Sequence, residues 1–262
     1  MMKVNYVGIY MECIRVSFAS AATYRFNFIL STIIMLISNI LFPLVTILIY
    51  GSGASFPEWS FYEVLLIQAV FTLSAGISNM LFNGVLWATM RYIIDGSLEI
   101  VLIKPVDCLF FLIASTFELD SIGLVAGGGI MFGIAAANIG PISLSMWLQF
   151  LLLFISGLLV MMGMSLIMAA TSFKWVGNSR IPEIFESIKS FGKYPQSILN
   201  KAVANFSAFI IPVAMVGCFP AAALLGRADF LMFVAIIPCV IFALLGIFLY
   251  KYMIHLYEGV GG

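Results

Sequence analysis

Between Arg25 and Glu58 the chain carries no charged side chain, and the same holds from Val64 to Met90 and from Ser121 to Phe173. About 20 residues suffice to cross the hydrocarbon of a bilayer as a helix, so each of these runs is long enough for one crossing and the last for two. Composition agrees: 63% of residues are hydrophobic and 9% charged, whereas about a quarter are charged in soluble domains. The sequence therefore predicts an all-α integral membrane protein. No polar stretch reaches the roughly 40 to 50 residues that a small soluble core needs, so residues 1–262 read as one transmembrane domain.

Taken in order, residues 1–25 place Val4, Val7, Met11, Ile14 and Phe18 at helical intervals among Lys3, Glu12, Arg15 and Arg25, the pattern of an amphipathic helix lying in the membrane interface. Ala19, Ser20, Ala21 and Ala22 precede the first apolar run, whereas a signal-peptidase site would follow it, so the first span is expected to stay attached. Six spans are expected, over residues 26–50, 64–90, 119–137, 142–171, 202–226 and 230–250. Asn138, Gly140 and Pro141 place the turn between the third and fourth. Gly123, Gly127, Gly129 and Gly133 suit close helix packing in the third. Pro212 and Pro220 break the fifth, whose tail is expected to re-enter or to lie on the far surface.

Two polar interruptions stand out. In Arg91 to Asp107, Asp95-Gly96 reads as a turn and Pro105 stops a helix. Ser172 to Lys201 contains a short amphipathic helix: Pro182 near its start, Glu183 and Glu186 in its first turns, Lys189 and Gly192 at its finish. Ile184, Phe185, Ile188 and Phe191 fall on one face, and Glu183, Glu186, Ser187, Lys189 and Ser190 on the other. Such a segment suits either a connector on the membrane surface or a docking helix for a soluble partner.

An N-terminus in the cytoplasm puts eleven of the twelve basic residues inside and only Arg227 outside, the asymmetry that orients membrane proteins. Both termini and both polar loops, residues 91–107 and 172–201, are then expected to be cytoplasmic. Cys13, Cys108, Cys218 and Cys239 are scattered without a CxxC pair and read as packing residues. No metal or cofactor set is evident, and His255, the single histidine, has no nucleophile–base arrangement around it. Gly192-Lys193 lacks the spacing of a phosphate-binding loop, and Tyr194 stands where Ser or Thr is required. The chain is not expected to be an enzyme, and nothing in it points to nucleic acid.

Ser172-Phe173-Lys174-Trp175, Phe191-Gly192-Lys193-Tyr194-Pro195, Ile211-Pro212-Val213-Ala214, Phe219-Pro220-Ala221 and Leu224-Leu225-Gly226-Arg227 succeed one another in an order that resembles the C-terminal half of type-2 ABC transporter permeases, in their six-span branch. Asp95-Gly96-Ser97-Leu98 with Leu102-Ile103-Lys104-Pro105-Val106 resembles that branch's loop between spans two and three. Lys174-Trp175 departs from the Phe-Trp of the pattern. The resemblance covers nearly the whole chain. It implies a permease subunit in the cell (plasma or inner) membrane, paired with a second permease of the same or a similar kind. Two copies of a separate ATPase would bind ATP and Mg beneath it, and the cargo would be lipidic, glycan, peptide or drug-like material for export.

On that reading the two polar loops dock the ATPase, with Asp95, Glu99 and Lys104 in the first and Glu183, Glu186 and Lys189 in the second. A secondary transporter that couples ions through Glu118 and Asp120 is the alternative, and a membrane scaffold a third.

Overall fold

A computed structural model describes residues 5–39, 41–175 and 180–257, and every regular element among them is helical. Helix α1 (Tyr6–Thr23) has no buried residue. Its Val7, Met11 and Phe18 point away from the protein, as an interfacial helix requires. Helices α2 (Arg25–Ser38) and α3 (Leu41–Gly51) follow. Helix α4 (Phe61–Ser78) starts on a capping box between Ser60 and Glu63 and continues through a π turn, Asn79–Asn83, into α5 (Gly84–Ile94).

The short α6 (Leu98–Leu102) and α7 (Cys108–Ser115) lead to α8 (Ile122–Asn138), and α9 (Leu144–Thr171) returns beside it. Helices α10 (Arg180–Ser190), α11 (Lys201–Asn205), α12 (Cys218–Leu224), α13 (Phe230–Val234) and α14 (Ile236–His255) complete the described chain. Among the described residues five stretches are long and apolar enough to cross a membrane: Arg25–Gly51, Phe61–Ile94, Leu119–Asn138, Leu144–Thr171 and Phe230–His255. They coincide with five of the six expected spans.

Two ends of the bundle are defined by side-chain pairs. At one, Arg227 reaches Glu63 at 2.7 Å and lies over the Trp59 ring; at the other, the Tyr250 and Thr89 hydroxyls meet at 2.7 Å and Phe173 packs edge-on against Tyr250. Between these ends α4–α5, α9 and α14 run in the same direction. Ser165 of α9 donates to Asn83 at 2.6 Å, and Gly163 leaves room for Phe242 of α14. Helix α8 runs the opposite way against α4. A Cβ at Gly123 would stand 2.3 Å from the Thr32 carbonyl oxygen of α2, so this glycine permits the contact. Gly129 and Gly133, expected to pack as well, face open space. Helix α7 buries Leu109, Leu112 and Ala114 inside the bundle.

The expected fifth span, residues 202–226, is not a crossing helix. A π turn (Phe206–Ile210), a 3-10 turn (Val213–Val216) and α12 replace it. Pro212 is one reason, since it lacks the N–H that a continuous helix uses, and Ile211 before it is extended, as a residue before proline prefers; Pro220 instead sits in the first turn of α12, where no N–H is needed. From Val213 to Leu224 this irregular backbone lies within protein, every residue buried, whereas Phe206, Phe209 and Ile210 of the π turn are exposed. Ser74 donates to the Val216 carbonyl at 2.8 Å, and a Cβ at Gly157 would lie only 2.4 Å from the Met215 oxygen. Non-helical backbone survives at membrane depth only when enclosed in this way.

Candidate coupling surface and translocation face

At the Tyr250 end the chain turns at Asp95-Gly96, with Gly96 at φ 65°, a left-handed value that glycine adopts without strain. Helix α6 follows, anchored by buried Leu98 and Val101. Its other face turns outward: Ile103 is 82% exposed and Ile100 61%, beside exposed Asp95 and Glu99. Lys104 bends back over the Phe111 ring, 3.6 Å from its centre. Asp107 caps α7 through the Phe110 N–H at 3.0 Å and pairs with Lys251 at 2.9 Å. Burial acts to raise the Asp107 carboxyl, but the backbone N–H and the ammonium outweigh it and hold it below the ordinary carboxylate range. Asp95, Glu99 and Lys104 are thus brought together in one turn–helix–turn. The charges are legible in the sequence, but Ile100 and Ile103 are not, because Leu98, Ile100, Val101, Leu102 and Ile103 are all apolar and only the fold decides which of them face outward.

Residues 172–201 do not remain at that end. Phe173 contacts Tyr250 there, but α10 then packs along α9. Phe185, Glu186 and Lys189 line a small cavity with Met161, Met164, Ser165 and Met168 of α9 and with Asn83. Two residues beyond α10, a Cβ at Gly192 would lie 2.5 Å from the Val213 oxygen, with the Phe71 ring 3.3 Å away, and Lys193 lies over that same ring. Tyr194 then meets Phe56, and Ser197 accepts from the Trp59 indole N–H at 3.0 Å. The segment 180–198 therefore passes from the Tyr250 end to the Trp59 end. This corrects the expectation of a one-sided loop over 172–201: Glu183, Glu186 and Lys189 lie along the bundle, apart from Asp95, Glu99 and Lys104. The physical reason is that Ile181, Phe185 and Ile188 find partly buried places against the core, which an amphipathic helix takes as readily as a lipid surface. The stretch 198–227 then enters the bundle and returns, both of its ends lying at Trp59.

The polar residues beside α10 form a chain. Ser165 donates to Asn83 Oδ1, Asn83 donates to Asn79 Oδ1 at 3.0 Å, and the π turn carries both asparagines. Lys189 is tucked inward with 14% of its side chain exposed and pairs with Glu186, which is 55% exposed. Glu183 and Ser187 are exposed on the same side.

Glu118 and Asp120 sit at the break between α7 and α8. Asp120 accepts from Ser31 at 2.9 Å, and the Glu118 N–H donates to the Met80 carbonyl at 3.1 Å. With Ser17, Tyr24 and Asn27 they line a cavity of about 600 Å³. Among the described residues no group of three or more His, Cys, Asp and Glu could hold a metal ion.

A bundle of long apolar helices around enclosed irregular backbone is the build of a multi-pass membrane protein. The chain belongs to the ABC-2 family transporter proteins, whose family model matches residues 33–261. It is accordingly a membrane permease of an ABC transporter. No curated protein and no solved structure matches the chain.

Proposed function

We propose that this chain is half of an export passage, completed by a second permease of the same or a similar kind and driven by two copies of a separate ATPase that bind ATP and Mg and dock on α6. One observation carries the docking: Ile103 and Ile100 are left exposed among Asp95 and Glu99 at a polar end of the bundle. Exposed apolar residues rimmed by charge mark a protein interface. The charges steer and the isoleucines hold. Arg91, Lys104, Lys174 and Lys251 lie at this end, which by the positive-inside asymmetry is the cytoplasmic face of the plasma or inner membrane; Lys201 and Arg227 belong with the opposite end. The family resemblance supports lipidic, glycan, peptide or drug-like cargo.

Affinity purification in mild detergent tests the docking. The native chain should bring an ATPase subunit with it, and Ile100→Glu with Ile103→Glu should lose that subunit while eluting at the native volume. Undiminished recovery of the ATPase with the double variant would remove α6 from the interface.

A further inference from the structure

At the Trp59 end, residues 191–198 lie as a strap across the enclosed segment. Two 3-10 turns, Phe191–Lys193 and Gln196–Ile198, make up most of it, and the Tyr194 and Ile198 N–H groups donate within it, to the Phe191 and Pro195 carbonyls at 3.3 Å. Beneath it is the start of α12. A Cβ at Gly217 would collide with the Gly192 carbonyl oxygen, and the Gln196 backbone hydrogen-bonds to the sulfur of Cys218, a residue only 3% exposed. The Gln196 side chain reaches inward. Its Oε1 accepts from the buried Ser207 hydroxyl at 3.0 Å, while its Nε2, itself buried, meets no acceptor among the described residues. An amide half satisfied in this way costs the closed arrangement free energy.

The far end of the strap is pinned by Trp59, whose indole N–H donates to Ser197 at 3.0 Å. Trp59 is held in turn from three sides. Its carbonyl accepts from the Tyr50 hydroxyl at 2.6 Å, Arg227 lies over its ring, and the same guanidinium donates to the Glu58 carbonyl at 3.3 Å. Glu58 stands at φ 66°, the one non-glycine residue with a positive φ among the described residues. A side chain of that size enters the left-handed region only under constraint, and such strain persists only where the surroundings enforce it. A strained clasp thus holds down a strap whose own inward side chain is incompletely paired.

We infer that residues 191–198 form a strap that closes the Trp59 end of the bundle over Gly217 and Cys218, and that it lifts as a unit when the clasp of Glu58, Trp59 and Arg227 releases Ser197. Lifting bares the start of the buried return, residues 213–224, without unpacking α4, α9 and α14. That this opening serves as the far mouth of a passage rests on the permease reading; the strap and its clasp do not.

The test uses two native cysteines. Membranes holding the full chain are treated with N-ethylmaleimide, and modification of each cysteine is followed by peptide mass spectrometry. A buried thiol reacts only when its cover opens, so Cys218 reports the strap and Cys239, fully buried on α14, reports general loosening. Trp59→Phe keeps a ring and removes the N–H, and should raise the ratio of Cys218 to Cys239 rates about fivefold, the worth of one hydrogen bond. Ser197→Ala, at an exposed position, removes the same bond from the strap's side and should do the same, which covers a Trp59→Phe chain that fails to fold. Glu58→Gly should lower the ratio by about fivefold or more, because glycine holds that φ without strain. A ratio unmoved by the loss of the bond, whether both cysteines quicken together or neither does, would overturn the strap, as would a Cys218 that stays unmodified in every variant. A ratio unchanged or raised in Glu58→Gly would overturn the stored strain. The labelling needs no ATP, cargo or partner, so a chain that purifies without an ATPase yet shows these shifts would lose the permease reading and keep the strap.

Discussion

The Trp59 indole N–H donates to the Ser197 hydroxyl across 3.0 Å, joining residues 138 positions apart. Trp59 follows α3 and Ser197 follows α10, so this bond ties the far end of α10's path to the loop before α4. Arg227 lies over the same indole and reaches the Glu58 carbonyl and the Glu63 carboxylate. Three segments remote in sequence are held at one point, and the charged stretch 180–198 is thereby fixed as a path through the bundle.

The Arg227–Glu63 pair should show measurable coupling. Glu63 is 17% exposed at its side chain and Arg227 43%, which lifts the pair above a fully solvated bridge. A double-mutant cycle of Arg227→Ala and Glu63→Ala, read by thermal unfolding in detergent, should return about 1 kcal/mol. Strict additivity would mean that the two residues merely coincide.

Gly157 and Gly133 should respond oppositely to alanine. At Gly157 a Cβ would stand 2.4 Å from the Met215 carbonyl oxygen, whereas at Gly133 nothing lies within 4 Å. Gly157→Ala must push aside enclosed backbone and should destabilise by about 2 kcal/mol or more. Gly133→Ala should be neutral or stabilising by up to about 1 kcal/mol, the helix-propensity difference. Equal midpoints for the two variants would contradict the buried return of residues 213–224.

Asp107→Asn isolates the charge, because asparagine also caps a helix. The folded Asp107 carboxyl lies below its ordinary range, so its stabilisation is present above the unfolded value and is lost as pH falls through the folded one. With Asp107 and Lys251 about half exposed, solvent screening limits the effect to about 1 kcal/mol or less. Wild type and Asp107→Asn should differ by a constant amount at neutral pH and converge below about pH 4. A difference that grows towards acid would reverse the assignment.

The two charged sets should separate by phenotype. Asp95→Lys with Glu99→Lys, on the α6 surface, should lower ATPase recovery on purification. Glu183→Gln with Glu186→Gln should leave recovery intact and reduce transport, because these residues lie along the bundle. If both pairs lowered recovery alike, residues 180–190 would belong to the docking surface as the sequence alone suggests.

The positions of the apolar crossings were legible in the sequence, because hydrocarbon excludes charge and a stretch without charge from Val64 to Met90 has few other places to go. So were the Asp95-Gly96 turn and the break at Pro212, which depend on the backbone of the residues themselves. The place of α10 was not. Its Phe185 and Ile188 satisfy a membrane surface or a bundle wall equally well, and the balance, which leaves Ile184 exposed and seats Ile181 against the core, is set by what stands opposite: Asn83 and Ser165 beside Glu186 and Lys189, Phe71 beneath Lys193, and Trp59 at Ser197. Local pattern determines which residues prefer to leave water. Only neighbours brought from elsewhere in the chain decide whether a charged helix lies across the membrane's surface or passes through the protein within it.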